Sequence, residues 1–170
     1  MDETGFEYRA VWDKRTAIIT WLTALFLLYV VGHAAWIIAH SNMNSRSGYA
    51  LGTIVFFTLF LTYIYSPRGY AITATHLVIR RAWKPVLLEL AEIEKAEALS
   101  GEMLAYSFRL WGSGGLFGFF GLFINRKLGR YTAYYTDFSK LVLVKAGKTY
   151  VISPSDTREF LAALSERIKQ

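Results

Sequence analysis

Cysteine is absent from this 170-residue chain, so disulfides, thiolate metal sites and cysteine nucleophiles are excluded. Proline occurs only 3 times and histidine 3 times. Charged residues make up 19%, below the roughly 25% of an ordinary soluble domain. The scarcity of histidine, two of the three lying in apolar sequence, leaves no nucleophile–base–acid set. The acidic residues Glu89, Glu92, Glu94 and Glu97 read as an exposed edge or turn and not as paired catalytic carboxylates. The sequence therefore offers no catalytic, cofactor-binding or metal-binding residues, and an enzyme, including a lipid-modifying one, is the weakest class. Nucleic-acid binding is disfavoured too, since the positive charge is modest and no readout motif is present.

What is abundant is apolar and aromatic sequence: 54% hydrophobic, with 12 Phe, 11 Tyr and 5 Trp. Much of it is concentrated near the start. Residues 17–39 carry no formal charge; as a helix they would extend roughly 34 Å, enough to cross a hydrocarbon core of about 30 Å. The run is too long for a signal peptide, and Trp36-Ile37-Ile38 stands where a cleavage site should fall. A second charge-free stretch, 47–65, follows a short polar loop. The expectation is a transmembrane helical hairpin with spans at about 17–39 and 47–65, and a tail at 1–16. Lys14 and Arg15 before the first span, and Arg68, Arg80, Arg81 and Lys84 after the second, outweigh the single Arg46 of the loop. Both termini are therefore expected in the cytoplasm. Tyr29, Trp36, Tyr49, Tyr63 and Tyr65 are available as interface aromatics, and Gly32, Gly48 and Gly52 to let the helices approach. His33 is expected to hydrogen-bond across the hairpin, to Thr53 or Tyr49.

The net charge of +6 belongs to the remainder, residues 66–170, because the N-terminal segment and the loop together cancel. Short apolar stretches separated by turn signals read as strands at 70–73, 77–83, 86–90, 93–99, 105–111, 131–136, 141–144 and 150–152, with a tight hairpin at Ala146-Gly147-Lys148. The stretch 93–99 is open to a helical turn plus a strand. A terminal helix follows Pro154, with Asp156 as cap, Glu159 as capping-box partner, and Phe160, Leu161, Leu164 and Ile168 as its apolar stripe. About seven strands closed by a C-terminal helix describe a small sandwich or open barrel.

The phrases Tyr70-Ala-Ile-Thr73, Leu77-Val-Ile79, Leu88-x-Leu90-x-x-Ile93, Gly112-Ser-Gly-Gly-Leu-Phe-Gly118, Gly121-x-Phe123, Gly129-x-Tyr131, Tyr135-Thr136 and Tyr150-Val-Ile-Ser-Pro154 resemble those of bacterial membrane-anchored proteins with a pleckstrin-homology (PH)-like domain. The resemblance covers the whole of 66–170. It implies a PH-like fold and a bacterial cytoplasmic (inner) membrane address, and little about activity. A phosphoinositide pocket is not supported: no basic residue follows Arg68 on the first strand, and the adjacent Arg80 and Arg81 point to opposite faces of the second.

Two features are candidate sites. The basic residues Arg80, Arg81, Lys84, Arg126, Lys127 and Arg130 could meet anionic lipid headgroups or be a solvated face. The Gly/Phe stretch 112–123 is either a bent, bulged pair of strands or a loop presenting Leu116, Phe117, Phe119, Phe120 and Phe123 to the bilayer interface or to a partner protein. The reading is a binding or scaffolding module whose partner is a protein, a second copy, or lipid headgroups.

Overall fold

Apolar sequence at helical length gives two helices first. The computed structural model describes residues 5–40 and 45–168, with side chains described from residue 49 onward in the second of these segments. Helix α1 (Lys14–His40) opens on Asp13, whose carboxylate accepts the Thr16 amide at 2.6 Å. Helix α2 (Ser45–Tyr65) follows, and the two pack together. α1 is long and apolar enough to cross a membrane, whereas the apolar part of α2, Tyr49–Tyr65, is shorter. Residues 41–44 of the expected loop, and the side of Gly48, lie outside the described residues. The close glycine packing expected between the helices is not formed at the described positions. A Cβ added at Gly32 or Gly52 would meet nothing within 4 Å. The helices diverge there around a cavity of about 720 Å³ between Val31, Ala35, Gly52 and Phe56. Nor does His33 bond across the hairpin: its ring stacks on Tyr29 and Trp36 of its own helix, 5.7 and 6.2 Å away. Thr53, Thr58 and Thr62 turn their hydroxyls back onto carbonyls one turn earlier in the same helix.

The strands form two sheets. The first has the order β1 (Phe6–Arg9), β2 (Pro67–Ile72), β3 (His76–Arg81), β4 (Val86–Glu89), all antiparallel. The second contains β5 (Ile93–Leu99), β6 (Phe108–Gly115), β7 (Gly118–Asn125), β8 (Gly129–Tyr135), β9 (Leu141–Ala146) and β10 (Lys148–Ile152), in the order β5-β9-β10-β8-β7-β6. Pairing is antiparallel except between β8 and β10. A single 3-10 turn, Leu90–Glu92, carries the chain from one sheet to the other, and the open stretch 93–99 that follows it is one continuous strand, without a helical turn of its own. Helix α3 (Thr157–Ile168) closes the fold, its first turn capped by Asp156 at 3.0 and 2.9 Å. Glu159 does not reach back as a capping-box partner; it faces the Tyr8 hydroxyl instead.

The strand count exceeds the expected seven for two reasons. The stretch read as a tail supplies β1, which pairs with β2 from Phe6↔Ile72 to Arg9↔Gly69. In the Gly/Phe stretch the strand expected at 105–111 is shifted to Phe108–Gly115 as β6, and it folds back into an added strand, β7.

Two apolar clusters hold the sheets. One lies between them and under α3: Ile72, Leu77, Ile79, Val144, Ile152 and Phe160 are each fully buried there. Burial of side chains this large stabilises by about 2 kcal/mol each. The other lies on the far face of the six-stranded sheet, where Phe123, Tyr131, Tyr135 and Leu141 pack with Leu104. Tyr70 latches the sheets together, donating to the Tyr134 carbonyl at 2.6 Å and accepting from the Ser153 amide at 3.1 Å. Burial pushes its phenol up to about 12.

Candidate functional site

Alternation along β7 sends Phe119, Gly121 and Phe123 to one face and Phe120, Leu122 and Ile124 to the other. The first set enters the far-face cluster. Phe119 stacks on Tyr135 at 5.0 Å, and Phe123 on Tyr131 at 5.7 Å. Phe120 is 8% exposed, at the foot of a cleft against α2. The turn residue Phe117 holds a positive φ of 58° and is covered by Trp12 and Tyr63, whose rings lie 6.0 and 5.5 Å away. Leu116, beside it, is half-buried, and its carbonyl accepts the Ser113 hydroxyl. Of the two readings of this stretch, the bent, bulged pair of strands is the one that forms, and its five apolar side chains are half-buried or buried within the protein and do not form a free loop. Gly112 and Gly121 face each other across it, both with positive φ; a Cβ at either would collide with a backbone carbonyl, Phe120 for Gly112 and Trp111 for Gly121.

The hairpin tip is bolted to α1. The Thr20 hydroxyl donates to the Gly115 carbonyl at 3.1 Å and accepts the Phe117 amide at 3.0 Å. One turn earlier, the Thr16 hydroxyl donates to the Thr136 carbonyl at 2.8 Å. Asp13 accepts the Phe138 amide with its second oxygen, and the Thr136 hydroxyl donates to the Val11 carbonyl. Thr16 is 0% and Thr20 3% exposed, and the bonds from their hydroxyls to the Thr136 and Gly115 carbonyls are buried. This junction went unread in the sequence. Its signal is Thr16 and Thr20, one helical turn apart at the polar end of an apolar run, following Asp13.

The basic residues do not converge. Arg80 pairs with Glu7 of β1 at 2.6 Å. Arg81, its neighbour, donates to the Lys84 carbonyl and lies 5.5 Å from both the Tyr65 and Tyr134 rings. Lys84 is exposed beyond the end of β3. Arg126, Lys127 and Arg130 gather at the β7–β8 turn, at the other end of the hairpin from the tip held by α1. Asn125 shapes that turn by accepting the Lys127 amide. Among the described residues none of these three makes an ion pair. No three His, Asp or Glu side chains among the described residues assemble as a metal set.

No curated protein and no solved structure matches the chain significantly. The family model described as Bacterial PH domain does match, over residues 68–168, from β2 to the last turn of α3. The match takes in both sheets apart from β1, together with the closing helix, and the chain therefore belongs to the bacterial PH domain family.

Proposed function

We propose that this protein is a membrane-anchored PH-like binding or scaffolding module, and not an enzyme, with α1 and α2 crossing the bilayer and both termini on the cytoplasmic side. The observation that carries the reading is the surface of the helices. Trp21, Leu22, Leu25, Phe26 and Leu28 of α1, and Ile54, Phe56 and Phe57 of α2, are all more than half exposed among the described residues. A face of that kind is stable in lipid and costly in water. The short α2 fits a span that begins before Tyr49 and ends at Tyr65, where Tyr63 and Tyr65 stand at interfacial height beside Arg68 and Arg81. The test is a pair of topology reporters fused after Gln170. A reporter active only in the cytoplasm, joined to alkali-resistant membrane association, is the expected result. A reporter active only outside the membrane overturns the topology.

One observation favours a second reading, recognition of anionic lipid headgroups. Arg126, Lys127 and Arg130 share a turn with no acidic partner among the described residues. On this reading the turn, more than the Arg80–Lys84 group, carries the contact, because Arg80 is paired with Glu7 and Arg81 is held against two tyrosine rings.

A further inference from the structure

The six-stranded sheet is wider than the layer that covers it. One row of paired residues crosses it from β9 to β6: Val144, Tyr150, Thr132, Leu122, Trp111. All five point to the same face, because directly paired residues in a sheet share a side. The row starts in the core and ends in the open: Val144 is 0% exposed, Leu122 37% and Trp111 73%. The next row out, at Ile124 and Phe108, is open as well, with Phe108 70% exposed. The four-stranded sheet stops short at Arg81, which lies against Tyr134. Beyond it, β6 and β7 carry a core-like face that the described residues leave open, apart from the edge that looks across a cleft at α2. A bulge between Arg109 and Trp111 brings Trp111 into line with Leu122 and leaves Leu110, 51% exposed, at the rim.

The geometry points to the bilayer interface as the cover for this overhang, a conclusion that rests on α1 and α2 being membrane spans. Three observations select lipid. First, the overhang is continuous with α2. Trp111, Gly112 and Phe120 line one wall of a cleft of about 460 Å³, and Thr58, Leu61 and Tyr65 line the other. Thr58 lies about 10 Å along the helix from Tyr65, so a spanning α2 holds Trp111 at the depth of its last two turns. Second, the clamp of Thr20 on the hairpin tip fixes that depth from the α1 side. Third, the chemistry is graded as an interface requires. Trp111 and Phe108 are followed at the end of the face by Arg130, opposite Ile124, with Arg126 and Lys127 on the adjoining turn. The hairpin lies on the membrane as a third, shallow contact beside the two helices.

The absence of cysteine makes the test direct. The full chain is reconstituted in phosphatidylcholine–phosphatidylglycerol vesicles after single substitution and spin-labelling at Leu122→Cys or Ile124→Cys, with Leu25→Cys as the span control and Glu166→Cys as the aqueous control. Collision with oxygen and with a water-soluble nickel chelate is then measured. The expected result is an oxygen-to-nickel ratio at 122 and 124 severalfold above that at 166 and approaching that at 25. Labels at 122 and 124 that match 166, while 25 reads as lipid, overturn the interface and leave the anchor standing. An aqueous reading at 25 overturns the anchor, and the interface with it. Labels at 122 and 124 shielded from both reagents, with spin–spin broadening that fades on dilution with unlabelled chain, overturn it in favour of a second copy on this face.

Discussion

Thr20 is a single hydroxyl that satisfies two backbone groups of another element. It donates a hydrogen bond to the Gly115 carbonyl and accepts one from the Phe117 amide. The first of these bonds is buried and the second partly so, and removing the hydroxyl leaves an acceptor and a donor that have lost their protein partner. Such orphaned groups cost about 1–3 kcal/mol. Thr20→Val keeps the shape and deletes the bonds. The expected outcome is a lower melting temperature in detergent and faster amide exchange at Phe117. Thr53→Val is the comparison: its hydroxyl only returns to the Tyr49 carbonyl within α2, and its loss should leave the melt nearly unchanged. Equal effects of the two substitutions would show that the clamp contributes no more than an ordinary helix hydroxyl.

The element that changes the reading most is β1. Its Glu7–Arg80 pair is short but solvent-exposed on both sides, 52% and 62%, and is worth at most about 1 kcal/mol. Tyr8 is 5% exposed, with its ring edge-on to Phe160 at 5.2 Å, so β1 holds α3 as well as extending the sheet. Tyr8→Ala should therefore cost about 3 kcal/mol, whereas Glu7→Gln should stay within about 0.5 kcal/mol. Chemical denaturation of both variants in detergent checks the order, and a larger loss for Glu7→Gln would reverse the assignment.

β1 also marks what the sequence makes legible. The strands β2, β3, β9 and β10 and the cap of α3 announce themselves through alternation, turn residues and a carboxylate before an apolar stripe. Phe6–Arg9 does not, because a four-residue edge strand carries a pattern of only two apolar positions, and its partner lies some sixty residues away across the helices. The Gly/Phe stretch is legible in part: a bent, bulged pair of strands is one of its two readings and the one that forms, but which side chains it leaves outside is not written in the pattern. Its phenylalanines look free only until the register is known; the bend at Gly112 and Gly121 folds Phe119 and Phe123 inward, while Trp111 and Phe108, unremarkable in sequence, remain outside. Exposure on a sheet depends on which strands overlie it, and that is a property of the assembled layers.

For the whole molecule, the positive charge is better described by where it lies than by its total. The β7–β8 turn carries Arg126 and Lys127, with Arg130 at the start of β8; all three are exposed, and trypsin recognises each of them. In nanodiscs of phosphatidylcholine alone, the turn at Arg126, Lys127 and Arg130 should be cut readily. With phosphatidylglycerol included the cut should slow, and high salt should restore it through screening. Equal cutting in both lipids would remove headgroup recognition from this turn.

On the proposed reading, in which α1 and α2 are the membrane anchor, the domain is fixed to that anchor at two points. α2 runs into β2 with only Ser66 between them, and α1 is held at Asp13, Thr16 and Thr20. A body on one tether can swivel; a body on two is turned only by breaking one of the attachments. The azimuth and tilt of the β domain are therefore set when the protein folds, before any partner arrives. A partner docking from the α3 side meets a receptor already oriented, so the rotational entropy lost by the receptor on binding is small. The same rigidity would carry any tilt of the two helices, from a change in bilayer thickness or from their own association, directly to the exposed surface of α3.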